Sequence, residues 1–184
     1  MHPWLHFKTI TRHKLLVMHY CFRAGMYKQG LLHDLSKYAP VEFLVGCKYY
    51  QGDRSPNNAE REDTGISKSW LHHKGRNKHH FEYWVDYAPG DEHIINGVPM
   101  PRKYIAEMVM DRISASRNYL GDKYDQHQPL DYYLKSKEKL WFIHPKTKRD
   151  LEGLLRIIND HGEEVLISYI KNVYLKKDKA LERV

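Results

Sequence analysis

The pair His33-Asp34, set in Gly30-Leu31-Leu32-His33-Asp34-Leu35-Ser36-Lys37, has companions that could complete a metal site. His13 precedes it, the pairs His72-His73 and His79-His80 follow, and Asp111 lies further on in a helix-like stretch. Imidazole and carboxylate are the side chains that hold a hydrolytic divalent metal. Ligands scattered around one adjacent pair imply a site assembled by folding. The chemistry such a set would support is metal-dependent hydrolysis. A plainer reading stands beside it: Asp34 caps a helix or pairs with Lys37 at i,i+3, and the histidines are hydrogen-bonded residues of a polar surface.

The second cluster runs from Trp70 to Trp84. On one continuous helix His72 and His79 would share a face, as would His73 and His80. Gly75 and Asn77 suggest a break instead, with Asn77 as the N-cap of a new helix. His79 and His80 would then occupy a first turn, where the helix dipole keeps imidazole neutral, as a metal requires. In the third stretch Pro101 suits a helix start, and Glu107 and Asp111 share a face at i,i+4. Asp111 follows Val109-Met110 and precedes Ile113, so a carboxylate there needs a cation or hydrogen bonds to offset its burial. No GxxxxGK[ST], GxGxxG or HExxH motif is present. His2 and His6 are set aside as ligands because Pro3 and an exposed N-terminus argue against coordination. Phe81, Tyr83 and Trp84 could stack on a base or simply pack in a core.

These residues must be positioned by helices. Apolar residues recur at helical spacing from Trp4 to about Tyr27, with Gly25 as a stop. A short helix from Gln29 to Tyr38 would carry His33-Asp34, whose adjacent side chains diverge by about 100°. Ala39-Pro40 ends it and Pro40 opens the next. Residues 52–63 are polar and turn-rich and read as a mobile loop, with helix resuming before Trp70. Tyr87 to Pro101 reads as a second irregular connection. Helices are expected from Pro101 to about Leu120 and from Leu130 to Phe142, then two more divided at His161-Gly162. With no repeat and no sustained alternation, the expectation is one all-α domain over 1–184, a compact helical bundle. Its metal-site core spans about 10–120, with C-terminal helices over about 130–178.

The composition fits a soluble globular chain, with 41% hydrophobic and 29% charged residues. No apolar run approaches the roughly 18 residues that span a bilayer. The first residues lack the order of a signal peptide, so a cytoplasmic protein without a membrane partner is expected. Two cysteines without CxxC spacing exclude a disulfide framework and a thiolate zinc site, and both read as buried thiols. The net charge of +7 implies attraction to phosphate, of a nucleotide or of nucleic acid. The basic end Lys176-Lys177-Asp178-Lys179 reads as a solvated helix terminus. Thirteen histidines, six of them between His33 and His93, call for a physical reason.

In order along the chain, His, His-Asp and a distant Asp resemble the HD-domain superfamily of metal-dependent phosphohydrolases. His33-Asp34-Leu35-Ser36-Lys37 is similar to the HDxxK form of its cyclic-dinucleotide phosphodiesterase branches. HDLSK, HH, HHFEYW and MPxxYxxEMxxD together are similar to a short bacterial and phage family, over roughly residues 10 to 120. The resemblance implies an HD-like bundle holding one or two divalent metals through His33, Asp34 and Asp111, with His13 as first ligand and His19 its competitor. His72 or His73 with His79 or His80 would hold a second metal or bind phosphate, and Asp34 would bridge. Lys37 and Arg76 would neutralise phosphoryl charge, and Glu82 or Glu107 would orient an imidazole. The implied reaction is hydrolysis of a phosphorylated small molecule, a nucleotide or related ester, by metal-activated water. Two rival expectations are a di-iron oxygenase of the same superfamily and a non-catalytic, nucleic-acid-binding regulatory protein.

Overall fold

Pro3 opens α1 (Pro3–Arg23), its fixed φ suiting a helical first turn. The start of the chain is anchored rather than free, since His2 N–H donates to the Cys47 carbonyl at 2.9 Å. The structure is a computed structural model and describes residues 1–90 and 93–176. Next comes α2 (Tyr27–Leu32), which lies against α1. A Cβ at Gly30 would sit 3.0 Å from Cys21 Cβ and 3.1 Å from the Phe22 ring, so this approach requires glycine. Lys14 of α1 donates to the carbonyls of Leu31 and His33 at 2.8 and 2.9 Å, capping the end of α2.

The continuous helix expected from Gln29 to Tyr38 does not form. His33 is extended (ψ 126°), and Asp34 is left-handed (φ 52°), the sole non-glycine residue with positive φ among those described. A 3-10 turn (Leu35–Tyr38) and α3 (Pro40–Lys48) follow. The His33-Asp34 pair therefore occupies a break between helices, and its two side chains escape the fixed divergence of adjacent helical residues.

The expected mobile loop at 52–63 contains α4 (Pro56–Thr64). Buried Glu60 holds it to the next helix by accepting from Ser67 Oγ at 2.6 Å and Ser69 Oγ at 2.7 Å. Ser67 caps α5 (Lys68–Lys74), accepting from Trp70 N–H at 3.0 Å. The connection expected to be irregular carries a small antiparallel hairpin, β1 (Val85–Tyr87) with β2 (Ile95–Gly97), Val85 opposite Gly97. Apart from this hairpin the regular structure of the described residues is helical.

Central to the bundle is α6 (Arg102–Leu120), which packs on α1, α7 and α8. The next helix, α7 (Gln128–Ser136), is shorter than the expected Leu130–Phe142 and ends in a 3-10 turn at Lys137–Lys139. The last, α8 (Pro145–Tyr169), runs on into a π turn at Ile170–Tyr174. The division expected at His161-Gly162 is a kink within α8, where Gly162 takes φ 84° and ψ 175°. Of the expected helix end at about 178 and its basic run, the part beyond Lys176 lies outside the described residues.

A single apolar cluster extends from Val17 to Tyr174 and joins Ile105, Val109 and Ile113 of α6 to Leu151, Leu155 and Ile158 of α8. Each such side chain contributes roughly 1.5–3 kcal/mol by leaving water. This core fixes α6, and through it the face that carries Glu107 and Asp111. Cys21 and Cys47 are buried free thiols. Among the described residues no helix is long and apolar enough to cross a membrane.

Candidate metal centre

Two sets of ligand-type side chains converge on Asp34. His13 from α1, His33 and Asp34 from the break after α2, and Asp111 from α6 bring one ligand atom each within 4.8 Å of one another. Asp34, His73 from α5, and His79 and His80 from the turn after it form the second set under the same limit. The two oxygens of Asp34 divide between them. Oδ2 lies 3.3 Å from His33 Nε2 and 3.8 Å from His13 Nε2, while Oδ1 lies 3.3 Å from His73 Nε2 and 3.4 Å from His79 Nε2. His13 Nε2 approaches Asp111 Oδ1 at 2.9 Å, and His73 Nε2 approaches His80 Nε2 at 3.0 Å.

Donors about 2.1 Å from one ion are separated by roughly 3.0–3.4 Å, so these spacings suit coordination. The unpaired atoms agree. His13 Nε2, His33 Nε2, Asp34 Oδ1 and His79 Nε2 are buried and have no hydrogen-bond partner. Orphaned polar atoms are costly and rare in a folded interior, and four converging at one point suit coordination of a cation.

The outer ring nitrogens are held from behind. Glu107 Oε1 meets His33 Nδ1 at 3.0 Å and His79 Nδ1 at 3.2 Å, turning both Nε2 atoms inward. Glu42 does the same for His73 through Nδ1 at 2.8 Å. Asn77 donates to the His73 carbonyl and to Ser36 Oγ, each at 2.8 Å, tying the end of α5 to the His-Asp turn.

The electrostatics favour positive charge among these carboxylates. Burial pushes the Asp34 and Asp111 carboxyls up, yet His33 and Lys37 around Asp34, and His13 and His33 around Asp111, hold both well below the usual range. Burial opposes charge on His33, but Asp34, Asp111 and Glu107 outweigh it and raise its pKa well above the ordinary value. His80 is instead kept neutral by burial and by His79 and His73 beside it. The Lys37 ammonium reaches Asp34 Oδ2 at 2.6 Å.

The profile of a family of unknown function, DUF5662, matches residues 2–157 of the chain. The chain belongs to the DUF5662 family. The matched span contains every residue of both clusters. No curated protein and no solved structure matches it.

Several expectations for this DUF5662 protein need correction. His72 is not in either cluster: its Nδ1 meets Glu42 Oε1 at 2.5 Å, because one residue of α5 turns it about 100° from His73. Arg76 is exposed beyond the end of α5, and its guanidinium turns back to the His72 carbonyl at 3.4 Å. Glu82 bonds no imidazole, and its Oε2 is buried without a partner. Asn77 caps no helix, so His79 and His80 lie in a turn before a 3-10 segment (Phe81–Tyr83), outside any α-helical first turn. His19 is exposed and meets Tyr20 edge-on, leaving His13 as the α1 residue at the centre. Glu42 went unnoticed in the sequence, its one signal being an acid two residues after Pro40 in the first turn of α3.

Proposed function

We propose that the protein is a metal-dependent phosphohydrolase acting on a phosphate ester of a nucleotide or related small molecule. One observation carries the reading: two ligand sets share Asp34, and four of their inward atoms, His13 Nε2, His33 Nε2, Asp34 Oδ1 and His79 Nε2, are buried without hydrogen-bond partners. His13, His33 and Asp111 would hold one divalent metal, His73, His79 and His80 the other, with Asp34 bridging. A bound pair supplies an acidified water and a polarised phosphoryl oxygen. Around it the side chains have distinct tasks. Glu107 and Glu42 fix the imidazoles so that no reorganisation is needed at the moment of reaction. Lys37, the lysine that contacts the shared carboxylate, is placed to neutralise charge developing on the phosphoryl group. The resemblance to HD-domain phosphohydrolases supports the same reading.

Asp34→Asn is the decisive variant, because asparagine tolerates the left-handed backbone while losing the bridging charge. Elemental analysis should find its bound metal lost, and a screen of phosphate esters should find no turnover, with the helical signal retained. Wild-type metal content and turnover in that protein would rule the reading out. A second reading draws on the nitrogen-rich donor set, which also suits iron. Retained iron and oxygen consumption without phosphate release would establish an oxygenase instead.

A further inference from the structure

Through the end of α3 at Lys48 the chain carries seven lysines and arginines and two acids, and both acids, Asp34 and Glu42, are buried. The helices α1, α2 and α3 therefore expose no carboxylate of their own, yet much of their surface is apolar. On α1, His6, Ile10, His13 and Val17 form the buried stripe. Trp4, Lys8, Arg12 and Leu15, at helical spacing, form a stripe on the opposite side, with Trp4 64% and Leu15 52% exposed. Phe7 stacks on Trp4 at 5.9 Å, and the Lys8 ammonium lies over the Trp4 ring at 5.1 Å. A second apolar row follows one edge of this stripe. Lys14 donates to the Leu31 carbonyl and Phe7 meets Tyr38 edge-on at 6.1 Å, so the exposed Leu32 and Leu35, between those two links in the chain, run beside α1. At the margins Arg23 and Lys48 pair with Glu164 and Asp63, whereas Lys8 and Arg12 make no ion pair among the described residues.

Contiguous exposed apolar surface marks an interaction site, and the cations interleaved with it say what kind. A second copy does not fit. In a two-fold pairing the stripe meets itself, and Lys8 and Arg12 would face their own equivalents with no acid on the stripe to offset them. Nucleic acid supplies the charge, but its interfaces are polar and would leave the leucines without an apolar partner. An anionic bilayer supplies both, headgroup phosphates for lysine and arginine and acyl chains for tryptophan and leucine, and it accepts a convex helix without a groove shaped to it. We infer that α1 lies flat on an anionic lipid surface, with Trp4, Phe7 and Leu15 inserted and Lys8 and Arg12 at the level of the headgroups. The expectation of no membrane partner came from the lack of a spanning segment, which a helix lying in the interface does not need. The inference is independent of the proposed chemistry. It sets His13, on the buried side of α1, about 10 Å from the lipid, the diameter of a helix with its side chains.

Flotation of the full chain with vesicles of phosphatidylcholine alone, and of phosphatidylcholine with about 30 mol% phosphatidylglycerol, tests this. Wild type should partition onto the anionic vesicles at least about 10-fold more strongly, the scale set by two cations at a charged surface. Lys8→Glu with Arg12→Glu should remove that preference. Trp4→Ser with Leu15→Ser should weaken binding to the anionic vesicles by at least about 10-fold, since apolar burial supplies the rest. All four side chains are exposed, so circular dichroism and melting temperature should match wild type in both variants. Lys135→Glu with Lys139→Glu makes the same charge change on α7 and the turn after it, and should bind as wild type does. No binding, or equal binding to both vesicles, would overturn the inference. Binding that survives loss of Trp4 and Leu15, or that falls equally in the α7 variant, would mean adsorption through net charge and would overturn it too. A dimer seen by light scattering that Trp4→Ser with Leu15→Ser dissolves, without vesicle binding, would assign the face to self-association instead.

Discussion

Lys37 and Asp34 show how two charged side chains in contact can have opposite effects on the same site. The Lys37 ammonium sits on Asp34 Oδ2, the oxygen facing His13 and His33. It would therefore compete with a cation for that oxygen while, on the proposed reading, neutralising charge on a phosphoryl group. Lys37→Met should leave metal content at least as high as wild type and reduce turnover by about 10²-fold, the scale found when one stabilising donor is removed from a transition state. Parallel elemental analysis and kinetics check this, and loss of metal in the variant would make Lys37 a structural support instead. The residues brought together here were legible by type and order: His13, His33, Asp34 and Asp111 stand out because few other roles combine imidazole and carboxylate beside apolar neighbours. The choice of His73 over His72 was not legible. A helix turns about 100° per residue, and nothing in the pair itself says which member faces inward. Glu42 was hidden for another reason, since an acid in a first helical turn needs no explanation beyond the dipole.

At the scale of elements, the break after α2 and the stretch after α3 mark where pattern reading fails. Helical periodicity runs smoothly through His33-Asp34, yet α2 ends at Leu32, where Lys14 of α1 takes the Leu31 and His33 carbonyls and Asp34 turns left-handed with its side chain among the histidines of α1 and α5. The polar composition of residues 52–63 resembled a loop because what keeps α4 in place is a tertiary bond set centred on one buried carboxylate. Glu60 accepts from two serine hydroxyls and from the Lys68 and Ser69 amides at 3.2 and 3.3 Å. Burial pushes its pKa up, but these hydrogen bonds prevail and hold it below the ordinary value. A carboxyl depressed on folding contributes stability above its unfolded pKa, about 4.3, and loses it as pH falls through the lower folded value. Glu60→Gln should therefore lower unfolding free energy by about 1–3 kcal/mol at pH 7. That deficit should shrink below about pH 4, as denaturant titrations at both pH values would show. A deficit independent of pH would mean that shape, not charge, holds α4.

For the whole molecule, the all-α architecture followed from periodicity and proline placement, and the exception among the described residues, the hairpin after Trp84, lies on strands too short to leave an alternating signal. The candidate centre draws on α1, the break after α2, α5 with the turn following it, and α6, so a cation there would tie α5, which contributes no residue to the apolar cluster, to α1 and α6, which do. A metal present at 100 times its dissociation constant adds about 2.7 kcal/mol to folding. For a chain of this size that amounts to roughly 5–10 °C in Tm. Chelation should lower the melting temperature by that amount in wild type and not in Asp34→Asn, and calorimetric scans with and without EDTA would show it. Because the ligands are spread along the chain, they also emerge in sequence during translation. Asp34, His73, His79 and His80 are all synthesised before Asp111, whereas the other set waits for α6. Both sets nevertheless depend on α6, one through Asp111 itself and the other through Glu107, which holds the His79 ring, so the centre is completed only once that helix has docked.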